Sequence, residues 1–358
     1  MGLFKNFLGN EESLFRDPIP LEFDYIPKII KYREAQQQQV ALGMKPLLQQ
    51  RTGKNVLVHG PPGVGKTVAV RHLLRELEEE QEGIIPIYIN CWQKNTNFKL
   101  ILELCDQLDY KFTHNKRSEE LFGVIKDMLN KKAVVLVLDE VDKLENTDFL
   151  YQFLEEIYRK SMVLITNYKE WIVNLDARIK SRLLAELLEF QAYNKVETRG
   201  ILEERMMYAF VPGVWNGDAF EIAATKAYEL GDIRAGLYVM REAGNIAEEG
   251  ASRTVDTTHV DKAMEKLNQF YIKKKDELAD ETKFILELVK KSSETKIGDL
   301  FKAYQQEGGA SSYKTFQRTI KKLETGGFLT VIKLAGGQEG NTTLVKVARS
   351  EKTLDQFK

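Results

Sequence analysis

Residues 60–67 read Gly60, Pro61, Pro62, Gly63, Val64, Gly65, Lys66, Thr67, the spacing G-x-x-x-x-G-K-T, between an apolar run and a helix-compatible segment. Strand, glycine-rich turn and helix in that order suit a phosphate-binding loop. The glycines let successive N–H groups turn toward one anion, and the helix that follows points its positive end at the same place. In such a loop Lys66 reaches the β- and γ-phosphates, Thr67 holds Mg²⁺, and Val68 continues the cradle into the helix. A chance match in a glycine-rich turn is the plain alternative. The flanking strand and helix count against it, as does a second motif downstream.

That motif is Ala133–Asp142, AVVLVLDEVD. Its apolar run reads as a strand buried on both faces, as at the centre of a parallel sheet. It ends in Asp139 and Glu140, at the carboxyl edge where open α/β sheets bind ligands. Asp139 suits a metal contact, and Glu140 suits deprotonating an attacking water. Further on, Asn167 closes the apolar run MVLITN, where it serves either as a turn former or as a contact to water or γ-phosphate. Arg178 and Arg182 lie four apart on one helical face. They are either solvated charges or an arginine aimed at a neighbouring subunit's nucleotide. Arg234, in Gly231-Asp232-Ile233-Arg234, either folds back onto a nucleotide or pairs with Asp232.

Positioning these residues requires strands alternating with helices. Apolar runs at Ile84–Asn90, Ala133–Asp139 and Met162–Asn167 alternate with helical patterns at Phe98–Leu108, Glu119–Leu129 and Phe149–Arg159. This predicts α/β architecture with a parallel sheet covered on both faces. Residues 1–31, with Pro18, Pro20 and Pro27, read as an extended arm, and Tyr32–Gln50 as a helix. Past residue 195 the valine-rich runs stop. Lys195–Phe210, Asp218–Leu230, a segment through Glu249 and Thr258–Tyr271 predict a small helical domain. A linker at Ile272–Asp280 then leads to three helices and a glycine-rich hairpin, a winged-helix pattern. The expected domains are 1–195, 196–275 and 276–358.

Composition narrows the class. The chain has 358 residues, 43% hydrophobic, enough for two or three domains. It has no apolar stretch of the roughly 18 residues a membrane span requires and no recognisable signal peptide. Two cysteines, Cys91 and Cys105, cannot build a metal cluster alone, so a reducing cytoplasmic location with buried thiols is expected. The net charge of −1 is unevenly divided: residues 280–349 balance to +4 and residues 1–279 to −5. The third helix of the C-terminal region carries Lys314, Arg318, Lys321 and Lys322 opposite Phe316, Ile320 and Leu323. That face suits a DNA major groove, with Lys333 and the glycine-rich wing along the phosphate backbone.

GPPGVGKT, VLVLDEVD, LITN, LDARIKSRL and GDIR, in this order, resemble the AAA+ ATPases. FRDPIPLEFDYIPKIIKYREAQ and RIKSRL further resemble the archaeal initiators related to the eukaryotic origin recognition complex and its cell-division-cycle partner. The resemblance runs from about Phe15 to Arg349. It implies ATP or ADP with Mg²⁺ as ligands, Lys66 and Thr67 on phosphate and metal, Asp139 and Glu140 as metal-binding and catalytic carboxylates, and Asn167 as first sensor. It also implies Arg182, ahead of Arg178, as the finger, Arg234 as second sensor, and Tyr25, Ile26 and Arg33 beside the adenine. Origin duplex DNA, the replicative helicase and other initiator subunits are the implied partners, in a nucleoid-associated protein with slow hydrolysis. Two departures stand out. Val64 replaces a usual small residue, and the interval Asp142–Met162 is short, leaving Phe149–Arg159 as the candidate for a DNA-contacting insert. Two further readings share much of the pattern. One is a plasmid or mobile-element regulator; the other is a signalling NTPase using its winged helix to bind protein.

Overall fold

Strand β3 (Ala133–Asp139) shows how the sheet is built. Every residue in it is buried, and they alternate between two cores. Val134, Leu136 and Leu138 face one apolar cluster, while Ala133, Val135 and Val137 face the other. Side chains on a strand point alternately to opposite faces, so an unbroken apolar run is stable only where both faces are covered. Fully burying one such Val or Leu is worth roughly 1.5–3 kcal/mol.

The computed structural model describes residues 13–276, 280–292, 294–309, 311–325, 328–334 and 342–347. The chain forms two compact units, one of residues 15–211 and 232–237, the other of residues 1–14, 212–231 and 238–358. In the first unit, α1 (Glu34–Met44), β1 (Val56–His59), α2 (Lys66–Glu80), β2 (Ile84–Asn90), α3 (Asn97–Gln107) and α4 (Ser118–Leu129) precede β3. After it come α5 (Asp148–Glu156), β4 (Lys160–Thr166), α6 (Ala177–Leu183), β5 (Glu186–Glu189) and α7 (Lys195–Ala209). The sheet order is β2-β3-β4-β1-β5, all parallel. Its register sets Asn90 against Asp139 and His59 against Thr166, so the carboxyl ends that carry the polar residues align along one edge.

Three local features differ from the sequence expectation. The helix expected over Tyr32–Gln50 is α-helical only to Met44, then 3-10 through Lys45–Gln49, because Pro46 lacks the N–H that an α-helix interior requires. The edge strand β5, sequence ELLE, escapes detection because a strand with one neighbour exposes its glutamates to solvent and keeps only Leu188 buried. The N-terminal arm makes a 3-10 turn at Ile19–Leu21 and is tied to α7 by Arg16 N–H on the Ala209 carbonyl and by the Phe15 and Phe210 rings, 4.6 Å apart.

The second unit holds α8 (Gly217–Leu230), most of α9 (Ile233–Glu249) and α10 (Thr257–Asp276), which extends into the segment expected as linker. Asn216 caps α8, and its Ala219, Ala223 and Ala227 are buried. The winged helix follows as α11 (Asp280–Ser292), β6 (Glu294–Lys296), α12 (Ile297–Gln306), α13 (Tyr313–Thr325), β7 (Leu329–Leu334) and β8 (Thr342–Val347). Its antiparallel sheet has the order β6-β8-β7, with the short β6 an addition to the expected three helices and hairpin. Phe316, Ile320 and Leu323 of α13 pack with Leu300, Tyr304 and Val345 in its core. The wing turn at 335–341 lies outside the described residues.

Candidate functional site

The loop between β1 and α2 opens into a cleft of about 300 Å³, lined by Gly63, Val64, Gly65, Lys66, Thr67 and Val68 together with Asp139, Glu140, Asn167 and Arg234. Gly63 has φ +75°, and a Cβ there would lie 2.0 Å from Asp232 Oδ1. Only glycine fits that turn and that approach. Helix α2 begins at Lys66 with no side-chain cap, so its first N–H groups remain available to an anion. Pro62 lines the cleft. Gly60 and Pro61 instead supply carbonyls, each accepting from Lys66 Nζ at 2.8 Å.

Lys66 also donates to Asn167 Oδ1 at 2.8 Å, joining the phosphate loop to the end of β4. The lysine is 7% exposed. Burial depresses its pKa to about 8, with Asp139 opposing the shift and Arg234 adding to it. The hydrogen-bond acceptors of this ammonium are neutral carbonyls and an amide, and phosphate oxygens would add charged ones. Thr67 Oγ1 donates to Asp139 Oδ2 at 2.6 Å, and Tyr88 Oη donates to the same oxygen at 2.8 Å. The Glu140 N–H donates to Asp139 Oδ1 at 2.9 Å. Glu140 itself sits in the left-handed region with φ +53°, which turns its side chain into the cleft lining. Its carboxyl pKa is raised by burial first, then by Asp139 and Asp142, the direction a general base requires.

The thiol of Cys91, just past the end of β2, is buried, and that burial pushes its pKa up, as does the charge of Asp139. A neutral thiol there is a packing residue.

The other expected residues divide. Arg234 lines the cleft and pairs with Asp232 at 2.7 Å. Tyr25 lines the cleft, whereas Ile26 and Arg33 do not. Arg33 is 4% exposed, and its guanidinium meets the carbonyls of Val64 and Gln191. Arg182 pairs with Glu155 and lies over the Tyr151 ring at 4.9 Å, while Arg178 pairs with Asp176 at 3.1 Å. Neither lines this chain's own cleft. Helix α5, the candidate insert, buries Phe149, Leu150, Phe153 and Leu154 in the core.

Sequence reasoning missed Tyr88, Tyr193, the Lys31–Glu204 pair at 3.1 Å, and Arg205, whose guanidinium lies 4.6 Å from the Tyr25 ring centroid. These residues come from β2, the arm, α7 and the segment before α7, and no local spacing links them.

In the winged helix, Lys314, Arg318 and Lys321 are exposed on α13, while Phe316, Ile320 and Leu323 are at most 2% exposed. Ser312 caps this helix through the Thr315 N–H at 3.3 Å. The side chains of Lys322 and Lys333 lie outside the described residues. Among the described residues, no helix is long and apolar enough to cross a membrane.

Comparison with known proteins agrees with this architecture. Residues 49–167 match the AAA domain family, and residues 199–265 match the Cdc6 AAA+ ATPase-type lid domain. The chain is 30% identical over 334 residues to ORC1-type DNA replication protein 3 of Haloarcula marismortui, with 88% of each chain covered. Among solved structures, it is similar to the Aeropyrum pernix ORC1 protein in complex with DNA, with TM-score 0.69, 26% identity, and 97% of this chain and 98% of that one covered. The Aeropyrum pernix ORC2 protein, solved as ADPNP and ADP complexes, shares the fold, with TM-score 0.71, 17% identity, and 94% and 95% covered. The fold is an AAA+ domain with a helical lid and a C-terminal winged helix, and the chain belongs to the ORC1-type DNA replication proteins, AAA+ ATPases of replication initiation.

Proposed function

We propose that the chain binds ATP in the cleft of its first unit, hydrolyses it slowly, and uses nucleotide state to switch its grip on origin duplex DNA while helping to recruit or load the replicative helicase. The observation that carries this reading is the convergence on one sheet edge of Lys66, the Thr67–Asp139 pair, Glu140 and Asn167. Lys66 neutralises the β- and γ-phosphates, Asn167 and Glu140 orient the attacking water, and Glu140 takes its proton. The Thr67 hydroxyl and the Asp139 carboxylate are oxygen ligands of the kind Mg²⁺ takes. When bound there, the ion offsets charge on the phosphate oxygens. In this reading Arg182, outside its own cleft, serves the nucleotide of a neighbouring initiator subunit, and Arg234 reports occupancy of its own.

Helix α13 enters the major groove through Lys314, Arg318, Lys321 and Lys322, with Lys333 and the wing on the phosphates. The functional domains are 1–195, 196–275 and 276–358, in a cytoplasmic, nucleoid-associated protein. The test is duplex-DNA binding over a salt series, wild type against Arg318→Ala and Lys321→Ala, each with ATP and with ADP. Loss of about one counterion from the salt slope per removed phosphate contact is expected, together with a nucleotide effect in wild type. Absence of wild-type binding at low salt refutes the DNA role.

A further inference from the structure

Arg33 is buried against the phosphate loop. It is 4% exposed and does not line the cleft, though Val64 and Tyr193, which it touches, do. Its Nε donates to the Val64 carbonyl at 3.1 Å and its Nη2 to the Gln191 carbonyl at 2.5 Å. The guanidinium carbon lies 3.8 Å from the Tyr193 ring centroid and 5.3 Å from that of Phe190. A planar cation with donors in a fixed fork, stacked on an aromatic face, is locked in direction as a lysine would not be. These two bonds go to main-chain carbonyls, which ties Arg33 to backbone orientation, while its guanidinium also bonds the Tyr193 side chain.

The Val64 carbonyl and the Gly65 N–H belong to one planar trans peptide unit and point to opposite sides of it. Gly65 has φ +85°, and glycine there leaves that unit free to turn either way unless something holds it. Tyr193 restricts the other side of the same residue, since a Cβ on Gly65 would lie 2.6 Å from Tyr193 Oη. We propose that Arg33 is a positioning residue for the phosphate site: by holding the Val64 carbonyl outward, it turns the Gly65 N–H toward the anion in the cleft. The inference rests on reading that cleft as the phosphate site. It assigns Arg33 an effect on phosphate binding, not on base binding.

The experiment titrates ADP, inorganic pyrophosphate and adenosine into the full chain and into Arg33→Met and Arg33→Lys. Arg33→Met keeps an apolar stem against Tyr193 and removes both donors. A loss of tenfold or more for ADP and pyrophosphate is expected, with adenosine affinity within twofold of wild type. Arg33→Lys keeps the charge but not the fork, so a severalfold loss confined to the two phosphate ligands is expected. Equal weakening of all three ligands, or no weakening of pyrophosphate in either variant, overturns the proposal. The lysine variant decides the matter should the methionine variant fail to fold. Wild type that binds neither ADP nor pyrophosphate refutes the site itself, an outcome distinct from variants that bind as wild type does.

Discussion

Nucleotide binding should draw a proton into the cleft at mildly alkaline pH, and the amount follows from Lys66. In the nucleotide-free protein its amine has a pKa of about 8, chiefly from burial. Phosphate oxygens against the ammonium favour the charged form and return it to at least the ordinary lysine value of about 10.4. At pH 8 about half of the lysines are neutral and must be protonated as nucleotide binds; at pH 9 the fraction is about nine in ten, and at pH 7 about one in ten. Apparent affinity therefore falls about tenfold per pH unit above 8, up to a limit near 3 kcal/mol for the full shift. The nucleotide-free protein moves the opposite way. Between pH 8 and about 10.4 its unfolded chain binds more protons at this lysine than the folded one, so this group's contribution to stability rises with pH. The assay is calorimetric titration with Mg·ADP at pH 7, 8 and 9 in buffer pairs of different ionisation enthalpy, where the ADP phosphates are already fully ionised. Zero proton uptake at pH 8 with affinity flat from pH 7 to 9 refutes the reasoning.

Glu140→Gln should lower ATP turnover by about 10²–10⁴-fold while leaving ATP affinity within a few-fold, as single-turnover and equilibrium binding will show. Gly63→Ala places a Cβ 2.0 Å from Asp232 Oδ1 on a residue with φ +75°. It should cost about 1–3 kcal/mol in denaturant unfolding and weaken ADP binding. Phe316→Ala empties the centre of the winged-helix core, where Phe316 is fully buried. A loss of about 3–5 kcal/mol is expected, with DNA binding falling in parallel and ATP affinity unchanged.

Sequence alone determined the features written in short spacing. The phosphate loop is written in short spacing, so G-x-x-x-x-G-K-T announces it before the residues that pack against it are known. The run AVVLVLD announces a strand buried on both faces, and a carboxylate at its end must stand at the ligand-binding edge. The amphipathic pattern of α13 likewise separates Phe316, Ile320 and Leu323 from Lys314, Arg318 and Lys321 before any fold is known.

What spacing cannot encode is which distant residues meet. Asn167 reaches Lys66 across 101 positions and Tyr88 reaches Asp139 across 51, because β2, β3, β4 and β1 are neighbours in the sheet. The edge strand β5 exists only because β1 offers it a partner, and its own four residues have too little apolar content to announce it. Arg33 shows the same limit most sharply. Its position before the phosphate loop suggested the nucleotide, and only tertiary packing brought its guanidinium onto the carbonyls of Val64 and Gln191 and the ring of Tyr193. Local geometry is set by bonded neighbours and periodicity, whereas a site assembled from several elements is set by how the whole core packs.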